Sequence, residues 1–415
     1  MLLVPFAAWA STRKLRRAGV SVVRAHEKLG HATENRPAHG PLIWFHAASV
    51  GESLSVLALI TRMGVALPQA HFLITSGTAT SADLVARRMP PRCVHQFAPL
   101  DAPGPLKRFL RHWQPDAALF VESELWPQML RRTHAQGAKM ALVNARLSKG
   151  SIANWQKFPK TARYLMDVFD LILTQNDAMA KAMVSINAPA GRVARGINLK
   201  SMAGPLPVDE DMLFDARAAL GHRPVWVASS THPGEEEPVL AAHQALLKRW
   251  PDLCLILAPR HPERGQEVMN LIAGAGLSLT RRTRGDAPGA QVFLADTMGE
   301  LGTWYALSDI VFLGGSLRPI GGHNPFEVAQ SGAAVLSGTH VTNFAETYSK
   351  MESLGAARLV ADRADLSTRV AALLENADGR AAACAAASRF AAQQTDLLDG
   401  IAARLIKALG LNADG

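Results

Sequence analysis

Cysteine is scarce in this chain of 415 residues. The three thiols, Cys93, Cys254 and Cys384, are far apart in the sequence and show no CxxC spacing. An odd number of isolated cysteines gives neither a disulfide framework nor a zinc-binding pattern. The composition therefore indicates a reducing, cytoplasmic compartment.

The N-terminus lacks a run of apolar residues long enough to cross a bilayer. Residues 1–10 (MLLVPFAAWA) are apolar, but a transmembrane helix needs about 20 such residues. A signal peptide is also excluded, because its basic residues precede the apolar run, whereas here the basic cluster at residues 13–17 follows it. Residues 1–20 fit either a membrane-surface anchor whose basic cluster meets anionic headgroups, or a first helix packed on its own domain.

Acidic residues are few in the first half of the chain. Residues 1–200 contain 26 Lys and Arg and 11 Asp and Glu, a balance of +15, whereas residues 201–415 contain 18 and 24, a balance of −6. A basic half attracts nucleic acid, anionic lipid or a phosphorylated substrate. The basic residues are scattered and form no recognisable nucleic-acid-binding motif, which argues against nucleic acid. An anionic membrane surface and a phosphorylated substrate remain as expected partners.

The length exceeds what a single hydrophobic core usually supports, so two domains are expected. Short apolar runs alternate with helix-compatible stretches in both halves, which is the pattern of parallel α/β sheets. The predicted strands are residues 42–46, 71–76, 94–99, 117–123, 140–145 and 170–175 in the first half, and residues 225–230, 253–259, 291–296, 309–315 and 333–338 in the second.

The two halves are separated by residues 201–210 (SMAGPLPVDE), which are rich in Pro and Gly and lack apolar periodicity. We predict an α/β protein with two Rossmann-like, doubly wound domains that face each other across a cleft. The expected boundaries are residues 21–200 for the first domain, 201–210 for the linker and 211–378 for the second domain. Residues 379–415 are Ala-rich and predict a terminal pair of helices.

The loops after four strands of the second domain carry polar residues suited to a nucleotide, since ligands bind at the carboxyl ends of parallel strands. Residues 229–231 are predicted to end a strand and open a helix, where hydroxyls and free N–H groups face an anion. Arg260 offers planar donors to a phosphate or a pyrimidine carbonyl. Gly299 lets a base lie against the backbone, and Glu327, in the same helical turn as Asn324, can accept both ribose hydroxyls. Helix capping is the alternative for Asn324 and for residues 229–231, and a solvated helix start is the alternative for Glu300 and Glu327.

The first domain offers carboxylates at its own strand ends. Glu52 follows the motif H-A-A-S-V-G (46–51) and can act as a general base that takes a proton from an acceptor hydroxyl. The alternative is a favourable acid at a helix N-terminus. A second acidic group, E-S-E-L-W-P (122–127), also follows a strand. Lys200 closes the segment G-I-N-L-K (196–200) just before the linker. It can reach into the cleft, and the alternative is an ordinary surface lysine.

A metal-dependent transferase is a rival interpretation, because residues 209–211 (Asp-Glu-Asp) have the form of a DxD metal motif. They lie directly before a helix-like segment, where acidic residues are expected at the helix start. We interpret Asp209 and its neighbours as capping residues and predict no metal site. Two further rivals stay open, a UDP-sugar transferase or epimerase of the same fold, and a non-catalytic protein that binds anionic lipid.

The motifs H-A-A-S-V-G-E, E-S-E-L-W-P, N-A-R-L-S, N-L-K, S-T-H-x-G-E-E-E, P-R-H-P-E-R, D-T-M-G-E-L and G-G-H-N-P-x-E together resemble those of the 3-deoxy-D-manno-octulosonic acid (Kdo) transferases of lipopolysaccharide synthesis. They occur in the same order, from about residue 24 to about residue 360. The resemblance implies a GT-B fold and an inverting transfer of Kdo from CMP-Kdo to a phosphorylated lipid A precursor. It also implies no metal or cofactor, and a location at the cytoplasmic face of the bacterial inner membrane, peripheral or N-terminally anchored.

The resemblance also implies roles for single residues. Glu52 corresponds to the proton acceptor of the family, and Glu124 and Lys200 correspond to its transition-state stabilisers. The residues that correspond to the CMP-binding segments are Pro259, Arg260, Met298, Gly299, Glu300, Asn324, Pro325, Phe326 and Glu327. The residues suggested as phosphate contacts by their position alone are Ser229, Ser230 and Thr231.

Overall fold

A computed structural model describes residues 3–199, 202 and 206–411 of the chain. The chain divides into two compact units. Unit 1 comprises Met1–Ala203 and Thr395–Gly415, and unit 2 comprises Gly204–Gln394. Four of the ten residues of the predicted linker, 201 and 203–205, lie outside the described residues, and so does Lys200.

Unit 1 is built on a parallel sheet of seven strands in the order β3-β2-β1-β4-β5-β6-β7. Its strands are nearly continuous runs of buried apolar residues, as expected when helices cover both faces of a parallel sheet. The strands are β1 Leu42–His46, β2 His71–Ser76, β3 Cys93–Phe97, β4 Ala117–Val121, β5 Lys139–Ala145, β6 Leu171–Thr174 and β7 Val193–Arg195. The helices are α1 Leu3–Arg17, α2 Val22–Ala25, α3 Val50–Ala66, α4 Ala79–Arg87, α5 Pro103–Trp113, α6 Pro127–Ala135, α7 Lys149–Lys157, α8 Pro159–Met166 and α9 Asp177–Ser185.

Unit 2 repeats this architecture, with a parallel seven-stranded sheet in the order β10-β11-β9-β8-β12-β13-β14. The strands are β8 Val225–Thr231, β9 Cys254–Pro259, β10 Leu279–Arg281, β11 Val292–Leu294, β12 Ile310–Leu313, β13 Ala334–Gly338 and β14 Ala357–Val360. The helices are α10 Glu210–Leu220, α11 Glu236–Leu247, α12 Gly265–Gly274, α13 Leu301–Tyr305, α14 Phe326–Gln330, α15 Ala345–Ser353 and α16 Arg363–Glu375. The last helix, α17 Ala377–Ala408, begins in unit 2, and its residues from Thr395 onward are assigned to unit 1. The expected α/β class with two doubly wound sheets is confirmed.

Each sheet has a hydrophobic core on both faces. Alternate residues of β1 illustrate this, since Ile43 and Phe45 belong to one cluster of unit 1 while Leu42 and Trp44 belong to the other. Unit 2 likewise has one cluster on each side of its sheet. Because both faces of each sheet pack against apolar clusters, polar groups that can face a ligand are expected at the strand ends and in the loops.

The C-terminal residues differ from the expected pair of helices beginning at residue 379. They form one helix, α17, of 32 residues. Its alanine-rich sequence has high helix propensity and contains no proline to end it. Phe390 packs in a core of unit 2, whereas Leu398 and Leu405 pack in a core of unit 1.

Helix α1 shows features of both interpretations of the N-terminus. Leu15 is buried in a small cluster with Ala25 and Phe97, so the helix packs on unit 1. Phe6 and Trp9 are 66% and 54% exposed, and the last turn carries basic residues. Among the described residues, no helix is both long enough and apolar enough to span a membrane.

Candidate active site

Glu52 lies in the first turn of α3, directly beyond the carboxyl end of β1. Ser49 caps this helix, because its hydroxyl accepts a hydrogen bond from the Glu52 amide. In return, Oε1 of Glu52 accepts a hydrogen bond from the Ser49 hydroxyl at 2.7 Å, and Oε2 accepts one from the Ala48 amide at 2.9 Å. The reciprocal bonds are close to a capping box. Two of the roughly four acceptor positions of the carboxylate are occupied, so it retains capacity to accept a proton.

The pKa of the Glu52 carboxyl is raised above its usual value. Burial is the largest cause, and the negative charges of Glu124 and Glu122 raise the pKa further. Hydrogen bonds from Ser49 and Ala48 act in the opposite direction. A carboxylate with a raised pKa is a stronger base than an exposed glutamate, and this property suits proton transfer near neutral pH.

Glu124 follows β4, the strand that pairs with β1, so its carboxylate comes to the same sheet edge as Glu52. Its Oε2 accepts a hydrogen bond from the Trp126 indole at 2.6 Å and lies 3.3 Å from Nε2 of His46. Burial raises the pKa of Glu124, but the contacts with His46 and Trp126 outweigh burial and leave the pKa below its usual value. The site therefore holds two carboxylates whose pKa values are shifted in opposite directions, so Glu52 holds a proton more readily than Glu124 does.

Glu122 and Asn144 are a further pair of contacting polar residues at the carboxyl ends of the unit 1 strands. Both have backbone φ angles in the left-handed region, 56° and 54°, a conformation that costs a non-glycine residue about 1 kcal/mol or more. The Asn144 side chain donates a hydrogen bond to Glu122 at 3.2 Å and accepts one from the Leu199 amide at 3.1 Å. The pairing of β5 with β6 shifts register beside Asn144. Asn144 thus connects the Glu122 loop to the segment that precedes Lys200, which itself lies outside the described residues.

The four polar loops of unit 2 follow β8, β9, β11 and β12, and these strands are neighbours in the sheet. The loops therefore meet at one edge, as predicted. The expectation that residues 229–231 open a helix is wrong, because α11 begins only at Glu236. Ser229 is fully buried and its hydroxyl contacts Tyr305 at 2.8 Å. Ser230 is 8% exposed and has a left-handed φ of 54°.

Arg260 lies directly after β9 and is exposed. Its side chain makes no hydrogen bond or ion pair with the described residues, so its donors face solvent. Two stacked histidine rings lie nearby, with 2.9 Å between Nε2 of His232 and Nε2 of His323. Burial, followed by the neighbouring cationic groups, lowers the pKa of His323 to about 4. The lowered pKa leaves the His323 ring neutral near pH 7, so one Nε2 can donate its proton to the lone pair of the other Nε2 across the 2.9 Å contact.

Glu235 shapes the loop that follows β12. Its buried carboxylate accepts hydrogen bonds from the amides of His232, Gly315, Ser316 and Leu317. Gly315 has a φ of 67°, and a Cβ atom at this position would lie 2.8 Å from the His323 ring. Glycine is therefore required here by both conformation and space.

Residues 298–300 form an exposed turn before α13, where Met298 is 67% exposed. Glu300 forms an ion pair with Arg282 at 3.0 Å and also contacts the Thr297 hydroxyl. The turn lines one wall of a cavity of about 350 Å³, and residues 207–209 and Met212 line another.

Residues 209–211, which have the form of a DxD metal motif, lie at the start of α10. Asp209 caps this helix, because its carboxylate accepts a hydrogen bond from the Met212 amide at 3.0 Å. The predicted capping role of Asp209 is confirmed.

Asn324 and Glu327 flank the start of α14. Asn324 precedes the helix, and its side-chain oxygen accepts a hydrogen bond from the Phe326 amide at 3.1 Å. Glu327 lies in the first helical turn and is half-buried. Pro325 and Phe326 are buried, whereas Asn324 and Glu327 are partly exposed.

Comparison with known proteins identifies the family. A family model described as 3-deoxy-D-manno-octulosonic-acid transferase (kdotransferase) matches residues 23–203. A probable mitochondrial 3-deoxy-D-manno-octulosonic acid transferase of Arabidopsis thaliana is 32% identical over 361 residues, which cover 84% of this chain and 80% of that protein. The 3-deoxy-D-manno-octulosonic acid transferase of Haemophilus influenzae is 33% identical over 345 residues, 81% of this chain and 80% of that protein. The chain belongs to the Kdo transferase family.

The fold of this Kdo transferase family member is also found in solved structures. The UDP-GlcNAc 2-epimerase of Neisseria meningitidis is similar with a TM-score of 0.57 and 13% identity, over 89% of this chain and all of that chain. The expected GT-B architecture is confirmed. Membership of the Kdo transferase family makes the chain a glycosyltransferase.

Sequence reasoning did not single out His46, Asn144 or Glu235 as functional residues of the transferase. Each lies within a motif noted in the sequence, H-A-A-S-V-G-E, N-A-R-L-S or S-T-H-P-G-E-E-E. The signal was a polar residue directly at, or a few residues after, the end of an apolar strand. Their partners Glu124, Leu199 and Gly315 lie tens of positions away in the sequence, so only the folded structure reveals these contacts.

Proposed function

We propose that the protein is an inverting, metal-independent transferase that moves Kdo from CMP-Kdo to a phosphorylated lipid A precursor of the lipid IVA type. The observation that carries the proposal is the Glu52 and Glu124 pair, two carboxylates with pKa values shifted in opposite directions at one sheet edge of a Kdo transferase family member. Such a pair provides one group to accept a proton and one to stay charged.

Glu52 is proposed as the general base. An acceptor hydroxyl is a weak nucleophile at neutral pH, and its proton must leave as the new glycosidic bond forms. The raised pKa of Glu52 supports this role. Attack on the face opposite the departing CMP gives inversion in a single displacement.

Glu124 and Lys200 are proposed as transition-state stabilisers. Kdo transfer passes through a state in which positive charge grows on the sugar and negative charge grows on CMP. The lowered pKa of Glu124 keeps it ionised and able to stabilise positive charge. Lys200 follows the segment held by Asn144 and is proposed to stabilise negative charge.

The CMP moiety is proposed to bind at the strand-end edge of unit 2. The exposed guanidinium of Arg260, which forms no ion pair with the described residues, suits the phosphate or a cytosine carbonyl. Glu327 suits the ribose hydroxyls, and the open turn at residues 298–300 suits the base. Fixed protein donors would then stabilise the leaving phosphate without a metal ion, and no cofactor takes part.

The membrane is proposed to be reached through unit 1. Helix α1 exposes two aromatic side chains beside a basic last turn, a combination that binds the interface of anionic bilayers. A location at the cytoplasmic face of the bacterial inner membrane follows from this proposal and from the chemistry of the acceptor.

The decisive experiment is incubation of the protein with CMP-Kdo and a lipid IVA-type precursor, followed by mass spectrometry of the lipid. We expect a mass increase of one or more Kdo residues, unchanged by a metal chelator, and an inverted anomeric configuration by NMR. UDP-GlcNAc in place of CMP-Kdo serves as the control donor. Turnover of UDP-GlcNAc without turnover of CMP-Kdo would refute the proposal.

A further inference from the structure

The ring of His46 is buried at the carboxyl end of β1 and faces Glu124. His46 is 2% exposed, and its Nε2 lies 3.3 Å from Oε2 of Glu124. The two atoms are close enough for a polar contact, and Nε2 has no other hydrogen-bond partner within the described part of the chain. A buried polar nitrogen without a better partner is costly unless the neighbouring carboxylate compensates for it. Glu124 is therefore the group to which this nitrogen is directed.

The other ring nitrogen determines which atom carries the proton. Nδ1 of His46 lies 3.0 Å from the Thr75 hydroxyl oxygen, which also accepts a hydrogen bond from the Trp44 indole at 2.9 Å. The single Thr75 proton has two possible acceptors, Nδ1 at 3.0 Å and the Phe45 carbonyl at 3.4 Å. When Nδ1 accepts the Thr75 proton, the ring proton is on Nε2, where it faces the Glu124 carboxylate. A lone pair on Nε2 would instead be repelled by the Glu124 carboxylate.

Aromatic packing holds this arrangement in place. The His46 and Phe120 rings pack edge to face, with 5.6 Å between their centroids. The centroid of the Trp44 ring lies 4.8 Å from that of Phe109 and 5.4 Å from that of Phe120. The chain from Trp44 through Thr75 to His46 is therefore fixed by buried groups on two adjacent strands. Glu124, by contrast, follows the end of β4 in a loop and needs external contacts to fix its carboxylate.

We propose that His46 is a positioning residue for Kdo transfer, with its proton held on Nε2 by Thr75 so that the ring orients the Glu124 carboxylate. The inference rests on the function proposed above for Glu124. The Trp126 indole contacts the same oxygen from an exposed position, and His46 supplies the buried contact.

The test compares His46→Leu, His46→Gln and Glu124→Gln, each alone, and His46→Leu combined with Glu124→Gln. We expect His46→Leu to lower kcat about 10- to 100-fold, the effect of one hydrogen bond to a charged group, with little change in either KM. His46→Gln restores an N–H donor near Nε2 and is expected to recover most of the loss. In the Glu124→Gln background, His46→Leu should cost no further activity.

His95→Leu is the matched control, because His95 is also buried in unit 1 and bonded through both ring nitrogens, to Arg24 and Ser76. It should lower thermal stability and leave kcat per folded molecule unchanged. If His46→Leu does not fold, Thr75→Val removes the hydroxyl that directs the ring proton, and the same loss of kcat is expected.

Two outcomes overturn the inference alone. One is an unchanged kcat for His46→Leu while Glu124→Gln is impaired. The other is an equal loss of kcat from His46→Leu in the parent and in the Glu124→Gln background. Full activity of Glu124→Gln would overturn the proposed role of Glu124 and this inference together, so the two failures are distinguishable.

Discussion

Glu52→Gln is the substitution that tests the proposed base most directly. The carboxylate of Glu52 accepts hydrogen bonds from the Ala48 amide and the Ser49 hydroxyl. A glutamine can keep both contacts, because its carbonyl accepts from Ala48 and its amide donates to a rotated Ser49 hydroxyl. The substitution therefore removes the basic oxygen while preserving the cap of α3.

The expected loss in kcat is about 100- to 10,000-fold, the usual contribution of a general base. It corresponds to about 3 to 5 kcal/mol of lost transition-state stabilisation. Stability should not fall with activity. The native pKa of Glu52 is raised, so its contribution to stability is complete below the unfolded pKa and is lost as the pH rises through the native pKa. A neutral glutamine avoids this loss, and we expect the variant to be at least as stable as the parent at pH 7.

The assay measures Kdo transfer at saturating CMP-Kdo and acceptor, with thermal unfolding recorded in parallel. Glu210→Gln serves as the control, because Glu210 is an exposed acid in the first turn of α10. Its kcat should be unchanged. Near-normal turnover by Glu52→Gln would refute the assignment and transfer the role of base to Glu124.

Three further predictions concern pH, donor binding and the membrane. The acidic limb of kcat/KM should lie above 4.5, the ordinary glutamate pKa, because a base with a raised pKa is protonated earlier as the pH falls. Ser49→Ala should move this limb to higher pH and lower stability by about 1 kcal/mol through the lost cap; an unmoved limb would mean that Glu52 is not the titrating group. Arg260→Ala and Glu327→Ala should raise the KM for CMP-Kdo without weakening lipid binding. The exposed control Arg358→Ala should leave that KM unchanged. An unchanged KM for CMP-Kdo in both site variants would show that the proposed CMP pocket is misplaced. Binding to anionic vesicles, measured by co-sedimentation, should weaken from low to physiological salt, where the Debye length is about 8 Å. The affinity for CMP should change much less over the same range. Equal salt sensitivity of vesicle binding and CMP binding would contradict the assignment of the membrane to unit 1 and of CMP to unit 2.

Much of the fold follows from local sequence. Eleven strands were predicted from apolar runs, and all eleven are present with ends displaced by a few residues at most. The strands that were missed, β7, β10 and β14, lie at sheet edges and are three or four residues long. A short edge strand such as Leu279–Arg281 contains too few apolar residues to show periodicity, and it pairs only because the neighbouring strand is already in place.

Local pattern failed where the outcome depended on distant contacts. The hydroxyls at residues 229–231 resembled a helix start, but β8 continues through Thr231 and Ser229 bonds to Tyr305 inside the core. The alanine-rich C-terminus predicts a helical conformation but does not give the length of the helix. That length depends on tertiary packing, since Phe390 is buried in a core of unit 2 and Leu405 in a core of unit 1.

The sequence by itself determined the alternation of strands and helices, the strand-end positions of the polar motifs and the resemblance to Kdo transferases. Short-range rules suffice for these features, since apolar periodicity and capping involve residues a few positions apart. Only the tertiary structure decided that Thr75 and Glu124 contact the two nitrogens of His46, 29 and 78 positions along the chain. The order of strands in the parallel sheet brings β2 and β4 to either side of β1, and no local pattern encodes that order.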